Sequence, residues 1–282
     1  MRRLIVISGA GLSAESGIRT FRTDEVSGKS LWDEYNLEEV CNVHGFNTGY
    51  TYRNDPFPPL AALSEETETS PSQNLYRLTH DFYNKRRVEL QTVEPNAAHN
   101  AIADWHRRFP GKVINLTTNV DDLLERAGVD RDDVIHVHGY LPEVKIQEKE
   151  GGSKKTIDIG YSEINPDDHH WAKPNVVFFH ENAPLYADLY DLIDSLTSQD
   201  LVIIVGCSNI VIDFDRLLYS PIMKGTKCIV VNPRISEADT TLYTSYGIAY
   251  FQTGAVSAFS NPNLVKVVED HLEGLTCLQA KS

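Results

Sequence analysis

Short, continuously apolar runs recur along the chain, each bounded by turn-forming residues. They are LIVIS at 4–8, VINLT at 113–117, VIHVH at 134–138, NVVFF at 175–179, LVIIVG at 201–206, KCIVVN at 227–232 and IAYFQ at 248–252. Runs this short, apolar without alternation, fit strands covered on both faces, as in a parallel sheet. Helical patterns separate them. NAAHNAIADWHRR follows Pro95, with Asn96 placed as its cap, and NVDDLLERAG stops on a glycine. APLYADLYDLIDSLTS and PNLVKVVEDHLEGL carry apolar residues three and four apart. Strands alternating with helices predict an α/β fold, a Rossmann-like doubly wound parallel sheet with a small inserted module.

Two stretches depart from the alternation. Residues 46–75 are rich in Pro, Thr, Glu and Ser and read as a loop-like insertion. Residues 141–173 read as two short strands around Gly151-Gly152 with polar flanks. No internal repeat is evident. The chain is therefore divided, within one domain, into a core of 1–40, 89–140 and 174–282 and a small module. The module takes a helical and loop part at 41–88 and a hairpin part at 141–173.

Composition narrows the function. The chain has 282 residues, 41% of them hydrophobic, enough for one large α/β core. Its net charge is −14, and the densest basic segment is the short NKRRVE, so a nucleic-acid partner is not expected. An acidic surface favours basic partners such as lysine-rich protein surfaces. No stretch nears the roughly 20 apolar residues of a membrane span. The N-terminal apolar run is shorter than the signal-peptide core of about 7–15 residues, and a cytoplasmic protein is expected. The four cysteines, Cys41, Cys207, Cys228 and Cys277, form no Cys-x-x-Cys pair. They read as small buried hydrophobes, not as a thiolate zinc site or a disulfide framework.

The stretch Gly9-Ala10-Gly11-Leu12-Ser13-Ala14 follows the first run and fits G-x-G-x-x-G/A. Its glycines permit a tight turn and close approach to a pyrophosphate, with a helix N-terminus behind. Packing alone also asks for glycines at such a junction, and the acidic ribose partner about 20 residues on is not recognisable. The following Ser16-Gly17-Ile18-Arg19-Thr20-Phe21-Arg22 has the look of a loop that folds over a ligand.

GAGLSAESGIRTFR resembles the signature of the sirtuins, NAD-dependent protein deacylases. EPNAAHNAI (94–102), TTNVDDLLERAG (117–128), VIHVHG (134–139), KPNVVFFHE (173–181), IVGCSNIVID (204–213) and VVN (230–232) follow in the family's order. Arg19 and SLWDEYNLEEV at 30–40 resemble the small bacterial branch.

The resemblance implies that acyl-lysine proteins are substrates and that NAD is consumed, the acyl group leaving on ADP-ribose with release of nicotinamide. His138, before Gly139, matches the catalytic histidine, and imidazole suits a base near neutral pH. His136 is the better structural histidine. Asn119 and Asp121 match residues at the nicotinamide and ribose side, although Asn and Asp are also favoured where a strand passes into a helix. Gly9, Ala10, Gly11, Ser13, Phe21 and Arg22 match the phosphate loop and flap. Gly206, Cys207, Ser208 and Asn232 match the adenosine contacts.

Tyr83 and Arg86, three residues apart, share a helical face and resemble the Tyr-x-x-Arg of the branch that removes succinyl, malonyl or glutaryl groups. A solvated basic face is the plainer alternative. Acetyl-lysine is expected to remain a substrate. The resemblance implies that Val177 and Phe179 lie in the stretch where the substrate backbone adds as a strand.

Departures from the family are clear. No cysteine lies between Cys41 and Cys207, so the family's structural zinc is not expected and a metal-free hairpin takes its place. His169-His170 is a poor ligand pair, since neighbouring side chains point apart. Thr118, Cys207 and His180 stand where glutamine, threonine and glycine are usual. An NAD glycohydrolase or ADP-ribosyltransferase using the same residues, and a non-catalytic NAD-binding module, are the rival readings.

Overall fold

The computed structural model describes residues 2–19, 36–54, 72–209 and 212–275. In chain order the elements begin with β1 (Leu4–Ser8), α1 (Ala10–Ala14), α2 (Leu37–Val40), α3 (Val43–Asn54), α4 (Ser72–Gln91) and α5 (Ala97–Arg108). Next come β2 (Val113–Thr117), α6 (Leu123–Ala127), β3 (Val134–His136), β4 (Gly139–Gln147), β5 (Lys155–Asp158) and β6 (Trp171–Val176). The last are α7 (Tyr186–Asp194), β7 (Leu201–Val205), α8 (Phe214–Met223), β8 (Lys227–Val231), α9 (Glu237–Ser245), β9 (Ala249–Phe251), α10 (Ala255–Phe259) and α11 (Pro262–Glu273). Among the described residues no helix is long and apolar enough to cross a membrane.

The chain divides into two compact units. The first comprises the described residues of 1–18, 94–138 and 184–282. It holds a six-stranded sheet in the order β3-β2-β1-β7-β8-β9, parallel at every pairing. β1 is buried at all five positions. Its Leu4 and Val6 join Ala98, Ile102 and Trp105 of α5 and Leu264 and Val268 of α11 in one core. Its Ile5 and Ile7 join Leu189 and Ile193 of α7 and Leu218 of α8 in another. Alternate residues of one strand thus feed two apolar layers, which is why the strands show no polar alternation. The helix ends are written locally. Asn96 caps α5 through a reciprocal box with His99, and Gly128 and Gly274 end α6 and α11 in the left-handed conformation.

The second unit comprises the described residues of 19–93 and 139–183. It holds α2, α3 and α4 and an antiparallel sheet in the order β5-β4-β6. β4 and β5 flank residues 148–154, the hairpin expected around Gly151-Gly152.

Three expectations need correction. NVVFF is not a strand of the parallel sheet, because β6 ends at Val176 and pairs antiparallel with β4. A short apolar run looks alike in either buried sheet. Pro174 is tolerated because β6 lies at an edge of its sheet. The core accordingly resumes after residue 183, not at 174, and its first segment ends at 18, not 40, so that α2 belongs to the second unit. Residues 46–54 and 72–75 are helical, not loop. Phe46, Gly49 and Tyr52 bury one face of α3, and that packing overrides the weak helix propensity of its Thr, Tyr, Gly and Asn residues. Residues 55–71 of the expected insertion lie outside the described residues.

Candidate active site

In the first unit the strand order reverses at β1, which has β2 on one side and β7 on the other. Open α/β sheets present their ligand sites at the carboxyl ends of the strands at such a point. The turns after β1 and β7 meet there. A Cβ at Gly11 would stand 2.5 Å from the Gly206 Cα, and one at Gly9 2.7 Å from the Gly206 carbonyl oxygen. Gly206 itself has φ +65°. These glycines are demanded first by backbone-to-backbone approach, which also leaves the loop without side chains at its centre. Ala10 and Gly11 open α1 and are half-buried.

Side chains from three segments organise this loop. Asn96 donates to the Leu12 carbonyl at 2.8 Å and to Ser16 Oγ at 3.0 Å. His99 Nδ1 accepts from the Asn96 N–H at 3.2 Å, so its proton sits on Nε2 and reaches Ser13 Oγ at 3.3 Å. Burial pushes His99 down to about 4, keeping it neutral. Asn119 Nδ2 donates to the same Ser13 oxygen and to the Gly9 carbonyl, each at 3.1 Å. Ser13 is left to donate to Asp121, whose carboxyl burial pushes up to about 6 against that hydrogen bond and one from the Leu123 N–H. The plain reading of Asp121 as a helix-starting residue is thus realised together with its place in the network.

Two histidines separate in role. His136 is 2% exposed and bridges the Asn119 carbonyl at 3.0 Å and Glu125 Oε1 at 2.7 Å. His138, two residues past β3, is half-buried. Its Nδ1 lies 3.2 Å from the Thr118 carbonyl and its Nε2 3.0 Å from the Tyr186 hydroxyl. Burial lowers its pKa, and the Thr118 carbonyl opposes that shift. Tyr186 had no sequence signal, because nothing in APLY marks a tyrosine for contact with a residue 48 positions earlier.

The other predicted positions scatter in character. Asn232 donates to the Cys207 carbonyl at 2.7 Å and so ties the end of β8 to the turn after β7. The Cys207 thiol faces the core and burial raises it to about 12, so Cys207 has only its backbone to offer a ligand. Ser208 is exposed. Asn209, at φ 56°, donates to Asp215 at 2.8 Å, and its buried Oδ1 has no partner. Phe21 and Arg22 lie outside the described residues.

In the second unit Tyr83 is buried, stacked on Phe178 at 5.6 Å, with its hydroxyl 3.5 Å from Cys41 Sγ. Arg86 reaches Glu89 at 2.6 Å, a carboxylate that also takes Arg19 at 3.1 Å. Val177 and Phe179 are half-buried, and the Phe179 main chain already pairs with Cys41 and Val43. His180 adopts φ 63°, the conformation that glycine enters without cost.

The sequence reading missed a polar stripe on α4. Tyr76 donates to the Ala172 carbonyl and accepts from its N–H, and His80 reaches the same carbonyl at 3.1 Å. Asn84 makes both hydrogen bonds to the Ile164 backbone, and Arg87 donates to the Leu141 carbonyl at 2.8 Å. Arg87 is fully buried, not part of a basic surface. The spacing 76, 80, 84, 87 is a helical period, a signal hidden because the residues are polar.

His169 and His170 turn to Glu148 and Tyr50 respectively. Among the described residues one group of three ligand-type side chains has its ligand atoms all within 4.8 Å of one another, His106, Asp130 and Asp133, in the first unit.

A family model described as "Sir2 family" matches residues 60–213. An NAD-dependent protein deacylase of Campylobacter jejuni strain RM1221 is 38% identical over 220 residues, covering 77% of this chain and 78% of the relative. One from Vibrio vulnificus strain YJ016 is 30% identical over 281 residues, covering 96% of each. A crystal structure of a Sir2 homologue–NAD complex aligns with a TM-score of 0.64 at 26% identity, over 96% of this chain and 90% of that one.

Proposed function

The chain belongs to the Sir2 family, and on that premise we propose that it is an NAD-dependent protein-lysine deacylase, releasing nicotinamide and passing the acyl group to ADP-ribose. The observation that carries the reading is the His138 imidazole. Its Nδ1 is held by a backbone carbonyl at the end of β2, and burial keeps it a neutral base at neutral pH. In this reading His138 takes the proton of a ribose hydroxyl at Nε2. Asn119 and Asp121 hold the nicotinamide and ribose side, through groups whose orientation Ser13 and His99 set.

The residues present fit an NAD. Gly9, Ala10, Gly11 and Ser13 offer a loop with little side-chain bulk for the phosphates. Gly206, Cys207 and Ser208, with Asn232 behind them, offer main chain for the adenosine half. The orphaned Asn209 oxygen on the same turn is an acceptor waiting for a donor. When bound, NAD supplies the electrophilic ribose carbon.

The finer reading concerns the acyl group. Arg86 already holds a carboxylate, that of Glu89, and a succinyl or malonyl acid is proposed to take its place. Tyr83 would have to leave Cys41 to assist. The second unit is proposed to work without a structural zinc, since α4 fastens the hairpin through Tyr76, His80, Asn84 and Arg87. Chelator treatment is then expected to leave turnover intact; its loss, restored by zinc, would end that proposal.

Incubation with NAD and succinyl-, acetyl- or unmodified peptides tests the function. Nicotinamide release is expected only with acylated peptide. His138→Ala should cost about 10²–10⁴-fold in turnover while calorimetry still detects NAD binding. Release without peptide would establish an NAD glycohydrolase or ADP-ribosyltransferase instead. Arg86→Met should slow succinyl turnover more than acetyl; equal losses would remove the acid-recognition role.

A further inference from the structure

We infer that Tyr186 is the positioning residue of His138: its hydroxyl donates to Nε2 while substrate is absent, and surrenders that nitrogen to the ribose hydroxyl when NAD binds. The inference rests on the proposed role of His138 as the base, but its central contact is testable without any substrate.

The direction of the hydrogen bonds follows from elementary bonding. A backbone carbonyl only accepts, so the proton of the neutral imidazole lies on Nδ1, toward Thr118. The lone pair is then on Nε2. At 3.0 Å the Tyr186 oxygen must supply the hydrogen. Burial raises the Tyr186 pKa, so the phenol stays protonated at neutral pH. Among the described residues Tyr186 is the one ionisable side chain in hydrogen-bond contact with this ring; the other contact is main chain.

Tyr186 is itself held. It is the first residue of α7, half-buried against the core beneath that helix. Tyr190, one turn on, meets its ring edge-on at 6.3 Å, the geometry of an i,i+4 aromatic pair. The His138 ring lies 5.9 Å away. The imidazole is therefore clamped at both nitrogens, by a main-chain carbonyl and by a phenol on a packed helix.

A donor to Nε2 stabilises the neutral ring and so makes it less basic. It also occupies the place that the ribose hydroxyl must take. On catalysis that hydroxyl replaces the phenol and its proton passes to Nε2, while Nδ1–H stays on Thr118.

The test is an NMR pH titration of the His138 imidazole in the ligand-free full chain. Tyr186→Phe is expected to raise its midpoint by about 0.5–1 pH unit, since a neutral hydrogen bond contributes roughly that much. Incorporation of fluorotyrosine, a stronger donor of the same shape, should lower it. Tyr190→Phe, at a 48% exposed position, should leave it in place. In turnover, Tyr186→Phe should move the acid limb of the pH–rate profile upward by the same interval and lower the KM for NAD. An unchanged midpoint in both Tyr186→Phe and the fluorotyrosine protein would overturn the inference, whatever happens to activity. A shifted midpoint in a protein whose turnover is indifferent to His138→Ala would keep the contact and retire the base.

Discussion

The two units differ in what their buried polar side chains hold. In the first, aliphatic residues from both faces of a parallel sheet make the interior, and Ser13, His99, Asn119 and Asp121 are tied together at the turn after β1. In the second, an aromatic and aliphatic interior that includes Phe46, Phe82, Val144 and Phe178 takes in charged and polar side chains of α4 and β6. Arg87 and Lys173 are 0% and 5% exposed, His80 is fully buried, and Tyr76, His80, Asn84 and Arg87 each give at least one hydrogen bond to a backbone group outside α4. Lys173 lies over the Phe178 ring at 3.9 Å and pairs with Glu181 at 3.0 Å, and burial lowers it to about 8. The lesson is that a charged or polar side chain can be taken fully into an interior where it finds main-chain partners.

Acid should expose both units, and by the largest amount. His99 in the first and His80 in the second have pKa values that burial depresses to about 4 and about 3. The unfolded chain takes up protons below about pH 6.5 and the folded one does not, so stability falls as pH drops below that value and levels near the folded values. The loss attributable to His99 alone is about 3 kcal/mol. His99→Gln and His80→Gln should each flatten the slope of stability against pH; denaturant melts between pH 7 and 4 with unchanged slopes would contradict this.

Asn84→Leu sharpens the contrast next. It removes two hydrogen bonds to Ile164 and one from Arg87, leaving buried groups unpaired, and should cost about 3 kcal/mol. Hydrogen exchange should place the loss in the second unit, with the β1 and β7 amides still protected. Protection lost evenly in both units would refute the division of labour.

The smallest effect concerns His180. A branch-free backbone would relax its φ of 63°, so His180→Gly should stabilise the second unit by up to about 1 kcal/mol. A lower melting temperature would show that the contact between the His180 and His44 rings, 6.0 Å apart, outweighs the strain.

The limits of what the chain discloses are visible in single residues. Leu4–Ser8 reads as a strand because every position is apolar or small, and Asn96 reads as a cap because the helix has to begin there. Val176–Phe179 misled because apolar runs report burial and not which sheet buries them. Arg87, within the basic NKRRVE segment, gave no sign of its burial because a charged residue ordinarily faces water. Tyr186 stayed silent because its partner lies 48 residues away and on another element.

What the sequence determined by itself was therefore local and periodic: the six strands of the parallel sheet, the helices α5, α6, α7 and α11, the glycine turn, the family signature and His138 as a candidate. These depend on interactions within a few residues or on the repeat of apolar positions. What only the tertiary structure decided was the pairing of polar groups: the tautomer of His138, the Ser13 relay, the α4 stripe and the carboxylate on Arg86. A hydrogen bond is made between atoms that folding brings within about 3 Å, and no periodicity along the chain records that distance.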